Sequence, residues 1–163
     1  MLEKIVCEAW PGIPVPAHLC LPKSAARPLP CVLYVLYVLG HWCGGKAEKD
    51  PRAFCIDMAR HGVAVLTFDP IGQGERSAKD EHGHRFPILA GIPQEGFMVW
   101  ESMCAVDYLA SRPEIDAARI GITGASGGFS GQNPVLGIRP APIWDFLALS
   151  VWSTQSLPRA HIL

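Results

Sequence analysis

Gly124-Ala125-Ser126-Gly127-Gly128 closes a short apolar, β-prone run and has the arrangement G-x-S-x-G. A serine on a sharp strand-to-helix turn sits in strained backbone with its hydroxyl projecting, and small flanking residues let the chain reverse without a clash. Ser126 is therefore the candidate nucleophile for acyl transfer. The same string also suits a flexible loop, or a turn that receives phosphate at a helix N-terminus. The surrounding elements decide between these readings.

Other groups able to take part in chemistry are few. His41 lies in the glycine-rich turn Gly40-His41-Trp42-Cys43-Gly44-Gly45, and Asp69 opens the loop Asp69-Pro70-Ile71-Gly72-Gln73-Gly74; both follow apolar runs. His82 and His84 are two apart, but no third ligand stands near them, so they read as solvated loop residues and no metal site is expected. After Ser126 the chain holds one acidic residue, Asp145, and one histidine, His161. Their order permits a Ser126, Asp145, His161 triad. Their short separations leave little room for successive βαβ crossovers of about 30 residues each.

The elements that must position these groups follow from apolar periodicity. Ile5 to Cys7 and Val15 to Leu21 read as two strands joined through Pro11-Gly12, and their prolines predict a sheet edge. Cys31 to Leu39 is continuously apolar, as in a central strand covered on both faces. It repeats Leu33-Tyr34-Val35 as Leu36-Tyr37-Val38, an odd repeat for a strand because three residues exchange the faces. Asp50 and Pro51 predict the cap and first position of a helix carrying Phe54, Cys55, Met58 and Ala59, ended by Gly62. Val63 to Phe68 is a second buried strand. A long helix is expected from Gln94 to Ser111, with Phe97, Trp100, Met103, Cys104, Tyr108 and Leu109 as its apolar stripe. Strands thus alternate with helices, and the interesting loops leave strand carboxyl ends, where α/β proteins build their sites.

The 163 residues fit one domain, and 49% hydrophobic content is enough for a core. A net charge of −1 without a Lys/Arg cluster argues against nucleic acid. Cys7, Cys20, Cys31, Cys43, Cys55 and Cys104 form no C-x-x-C pair and no zinc spacing. No secretory signal is read at the start, and the longest apolar run is far below the ~20 residues of a membrane span. The expectation is a cytoplasmic protein that engages neither membrane nor nucleic acid.

With the order of these elements in place, residues 1 to 128 resemble the N-terminal half of an α/β hydrolase, within the acetyl xylan esterase and dienelactone-hydrolase-like serine esterases. The resemblance rests on the Pro-Gly edge strands, Gly40-His41-Trp42, Asp69 with Gly72-Gln73-Gly74, Asp107-Tyr108-Leu109, and Gly124 to Gly128. It implies a mostly parallel central sheet flanked by helices, with an antiparallel N-terminal edge. It also implies a cofactor-free serine ester hydrolase acting on acetyl or other small acyl esters. Ser126 matches the nucleophile, and the backbone N–H groups of Gly127 and His41 match the oxyanion donors. Because the triad order is serine, acid, histidine, the His41 side chain is not the expected base. Asp69 is expected to shape its turn. The family carries His-Gly where Leu39-Gly40 stands here.

Residues 129 to 163 differ in character. They contain no Lys or Glu, only Arg139, Asp145 and Arg159 as charges, four prolines, and Trp144 and Trp152. A reading-frame shift near codon 129 would explain the change and leave an atypical tail. The competing expectation is then a catalytically incompetent fragment or a binding module. A sheet left open beyond the elbow predicts self-association.

Overall fold

Pro11 and Gly12 reverse the chain between β1 (Leu2–Trp10) and β2 (Ile13–Cys20), an antiparallel hairpin in which Gly12 takes φ +76°. The computed structural model describes residues 1–35, 45–77, 91, 94–124 and 143–145. Along the chain follow β3 (Leu29–Val35), α1 (Lys49–Arg60), β4 (Ala64–Phe68), α2 (Gln94–Ser111), β5 (Ile115–Gly124) and β6 (Ile143–Asp145). Among the described residues six strands lie in the order β1-β2-β4-β3-β5-β6. Pairing is antiparallel between β1, β2 and β4, and parallel from β4 through β3 and β5 to β6. This is the expected α/β architecture with a parallel centre and an antiparallel N-terminal edge.

Period-two alternation divides the apolar side chains between two faces. Ala17 and Leu19 of β2, Cys31, Leu33 and Val35 of β3, Leu66 and Phe68 of β4, and Ile120 and Ile122 of β5 pack with Met98, Val106 and Leu109 of α2. Each large aliphatic side chain so buried contributes about 1.5–3 kcal/mol. On the opposite face α1 covers the sheet, and Tyr34 of β3 meets Phe54 of α1 with ring centroids 4.5 Å apart. Arg112, after α2, donates to Glu3 at 2.9 Å and to the Tyr108 hydroxyl at 2.9 Å and pairs with Glu114, tying β1 to the α2–β5 connection.

Three local expectations are corrected. Pro14 and Pro16 do not mark an edge strand, because β2 lies between β1 and β4. Pairing with β4 begins only at Ala17↔Phe68, so both prolines sit where β2 runs past the end of β4, and their missing N–H groups break no ladder. The N-cap of α1 is Glu48 instead of Asp50, which puts Pro51 inside the first turn, where backbone N–H groups have no helical partner anyway.

The third correction concerns α2, whose bounds agree with expectation. Leu109 is buried and Met103 and Tyr108 pack against the core as expected, joined by Met98, Glu101, Ser102 and Val106, whereas Trp100 is 42% exposed. Phe97 and Trp100 instead flank Trp10, each with its ring centroid 5.7 Å from that of Trp10, and Trp100 donates to the Ala9 carbonyl at 2.7 Å. Gly62 ends α1 as expected, at φ +84°. Among the described residues no helix is long and apolar enough to cross a membrane.

Candidate active site

Register brings three strand ends to one edge of the sheet. Val35, the last residue of β3, is the partner of Phe68, the last of β4, and also of Gly124, the last of β5. The segments that carry His41, Asp69 and Ser126 therefore all depart from neighbouring carboxyl ends of parallel strands, where α/β sheets place ligands. Ser126, Gly127 and His41 themselves lie outside the described residues, as do His82, His84 and His161. Asp145 is the last residue of β6, whose partner on β5 is Ile122, so the tail contributes at least one strand to the parallel sheet.

The described part of this edge is organised by Asp69, which follows β4 directly. Its Oδ1 accepts the Lys46 backbone N–H at 2.7 Å, and its Oδ2 accepts Lys46 Nζ at 2.5 Å and the Glu75 N–H at 3.0 Å. The Asp69 N–H donates to the Pro16 carbonyl at 3.1 Å, and Arg76 donates to the Asp69 carbonyl at 3.1 Å. The side chains of Lys46 and Asp69 are each 1% exposed. The Asp69 carboxylate thus accepts three hydrogen bonds that hold the turn, as its loop pattern implies. Glu75 also takes Lys46 Nζ at 2.5 Å, and this neighbouring ammonium holds its carboxyl below the usual range.

Two glycines permit this arrangement. A Cβ on Gly45 would lie 2.3 Å from Asp69 Oδ1, and one on Gly74 would lie 2.4 Å from Asp69 Cγ; both residues have positive φ, near +50°. Gly74→Ala combines a left-handed backbone, costing about 1–3 kcal/mol for a non-glycine residue, with a direct clash on the buried carboxylate. Its urea midpoint is expected to fall accordingly. A midpoint equal to that of Gly91→Ala, a site with positive φ and open space around it, would contradict the role given to the clash.

Behind this loop Arg76 Nη1 lies 2.8 Å from Glu101 Oε1, an ion pair with both side chains buried. Neither Glu101 oxygen has a hydrogen-bond partner among the described residues. Burial pushes the Glu101 carboxyl up against the opposing pull of Arg76. A raised native pKa means that folding takes up a proton, so this stabilising contribution is present below the ordinary glutamate range and lost as pH rises through the native value. Wild-type stability relative to Glu101→Gln is therefore expected to decline as pH is raised from about 4 to 7. Urea titrations of both proteins across that range measure it, and a constant difference would refute it.

Lys46, Glu75, Arg76 and Glu101 were not expected as site-edge residues. The recognisable signal was a charged pair, Glu75-Arg76, immediately after Gly72-Gln73-Gly74, too polar for a loop that only turns.

The strand order and the parallel centre define the class: the described residues have the arrangement of part of an α/β-hydrolase fold. No family model matches the chain. The putative hydrolase YtaP of Bacillus subtilis is 33% identical over 122 residues, which cover 69% of this chain and 40% of that protein. A putative acetyl xylan esterase from Bacteroides fragilis superposes with a TM-score of 0.70 at 18% identity, over 82% of this chain and 41% of its own. A dienelactone hydrolase-like promiscuous phosphotriesterase from metagenomic libraries gives 0.67 at 15% identity, over 90% and 58%. The chain thus spans about two fifths of the Bacillus relative.

Proposed function

We propose that this chain carries the nucleophilic half of a serine-dependent carboxylic-ester hydrolase, with Ser126 as nucleophile and acetyl or other small acyl esters as substrates. The observation that carries the reading is the shared register of Val35, Phe68 and Gly124. It starts the Ser126 and His41 segments side by side at one sheet edge. Ser126 would attack the ester carbonyl while the Gly127 and His41 N–H groups take the developing oxyanion, and an acyl-enzyme would then yield to water. The likeness to a putative hydrolase and to a putative acetyl xylan esterase supports the reaction class.

A second reading, a binding module without turnover, is favoured by one feature. Asp145 follows Ser126, and His161 follows Asp145, at separations too short for successive βαβ crossovers of about 30 residues each, and a serine without an activating base is a weak nucleophile. Release of p-nitrophenol from p-nitrophenyl acetate by the wild type and by Ser126→Ala separates the two readings. A rate lost on substitution supports the esterase; equal rates support the binding module.

A further inference from the structure

On the α1 face of the sheet a cavity of about 1020 Å³ opens between β2, β4, α1 and residues 22–25. Its walls are largely aliphatic: Leu21, Pro22, Ala25, Ala47, Ile56 and Ala59 line it, and its described lining includes no phenylalanine, tyrosine, tryptophan, aspartate or glutamate. The buried cation of the lining, Lys46, is already answered by Asp69 and Glu75. Lys23, Arg52 and Arg60 are exposed to water. One buried polar group is left over. Thr67 of β4 is 1% exposed and lines the cavity, and its Oγ1 has no hydrogen-bond partner among the described residues. His18 of β2 is the partner of Thr67 across the strands and lines the cavity as well. Burial first, then the Lys46 charge, holds its imidazole below the usual range, so it is neutral at pH 7.

We propose that this cavity is a binding site for an uncharged aliphatic ligand of medium chain length that carries a hydroxyl or carbonyl group, with that group on Thr67 and the chain along Leu21, Ile56 and Ala59. A buried hydroxyl without a partner is destabilising, and a ligand group set against Thr67 removes that cost. The threonine hydroxyl both donates and accepts, so an alcohol and an ester each suit it. An ionised head does not, because it would lose its water beside a cation that is already paired. The chain gains by covering aliphatic surface, including Leu2 and Ile56, which are 53% and 49% exposed at the cavity. Binding does not involve Ser126.

Octan-1-ol is the probe and octanoate its charged match, each added to the whole chain at neutral pH. Cys20 and Cys7 are both free and half-buried, and of the two Cys20 lines this cavity. Alkylation by N-ethylmaleimide, followed by peptide mapping, therefore reads occupancy. Octan-1-ol at twice its dissociation constant should slow modification of Cys20 about threefold and leave Cys7 unchanged. Octanoate should need about tenfold more. Thr67→Val keeps the shape and removes the hydroxyl; it should weaken octan-1-ol about three- to tenfold while raising the urea midpoint of the ligand-free protein, a combination that a purely structural threonine would not give. Ile56→Glu, at an exposed position, should weaken octan-1-ol about fivefold and decides the matter if the Thr67 variant fails to fold. No protection of Cys20, equal protection of Cys7, octanoate binding as tightly as octan-1-ol, or unchanged affinity in Thr67→Val would overturn the proposal.

Discussion

Ser126→Ala is expected to reduce turnover of p-nitrophenyl acetate by about 10⁶. In serine hydrolases the nucleophile and its base act as a unit, and loss of either costs about 10⁶ in turnover while oxyanion stabilisation leaves about 10³–10⁴ over water. Companion variants separate the roles. His41 is assigned only its backbone N–H, so His41→Ala should change the rate little. Removal of a true oxyanion donor would cost about 10²–10³. His161→Ala should approach the loss of Ser126→Ala if His161 is the base, and should leave the rate unchanged if no histidine of this chain activates the serine. A His41→Ala loss as large as that of Ser126→Ala would reassign His41 as the base, against the serine, acid, histidine order of the fold.

The fold was legible in the sequence wherever apolar periodicity was long. The apolar runs Cys31 to Leu39 and Val63 to Phe68 read as strands covered on both faces, and their described residues lie in β3 and β4 at the centre of the sheet. Where side-chain identity competed with position, reading failed. Phe97 and Trp100 have the spacing of a core stripe, but the buried face of α2 runs through Met98, Glu101, Ser102, Val106 and Leu109. The aromatic rings were claimed by Trp10, an association 87 or more positions apart that no local pattern contains. Proline in β2 reads as an edge signal, but its missing N–H matters only opposite a partner, and the length of β4 is set elsewhere in the chain. The candidate site was legible as a list of residue types at strand ends. Its buried charges were not, because Lys46 and Glu101 look like surface residues until tertiary packing supplies Asp69 and Arg76.

Asp69→Ala is expected to be the most destabilising single substitution in this part of the molecule, at about 3–5 kcal/mol. Two charges taken from water are tolerated here because each answers the other and further donors fill the remaining lone pairs. Truncation of Asp69 leaves the Lys46 ammonium with Glu75, whose side chain is 67% exposed and whose contribution water largely screens. It also strands the Lys46 and Glu75 N–H groups, each worth about 1–3 kcal/mol when buried without a partner. Small domains have about 5–15 kcal/mol in total, so this variant should sit close to unfolding. Asp69→Asn keeps one carbonyl acceptor but presents an amide to a donor, and it should fall between the two. Lys46→Met combined with Asp69→Ala removes the orphaned charge as well, and should recover part of the loss, giving a favourable coupling in a double-mutant cycle read by urea unfolding. Additive losses would mean that the ion pair contributes no coupling and that the backbone bonds alone hold the loop. The turn at Gly45–Ala47 and the loop from Asp69 to Ser77 both border the sheet edge from which the Ser126 segment departs. Any esterase activity should therefore decline with Asp69→Ala although the carboxylate touches no reacting atom, and conserved activity in a folded Asp69→Ala protein would separate this cluster from the site.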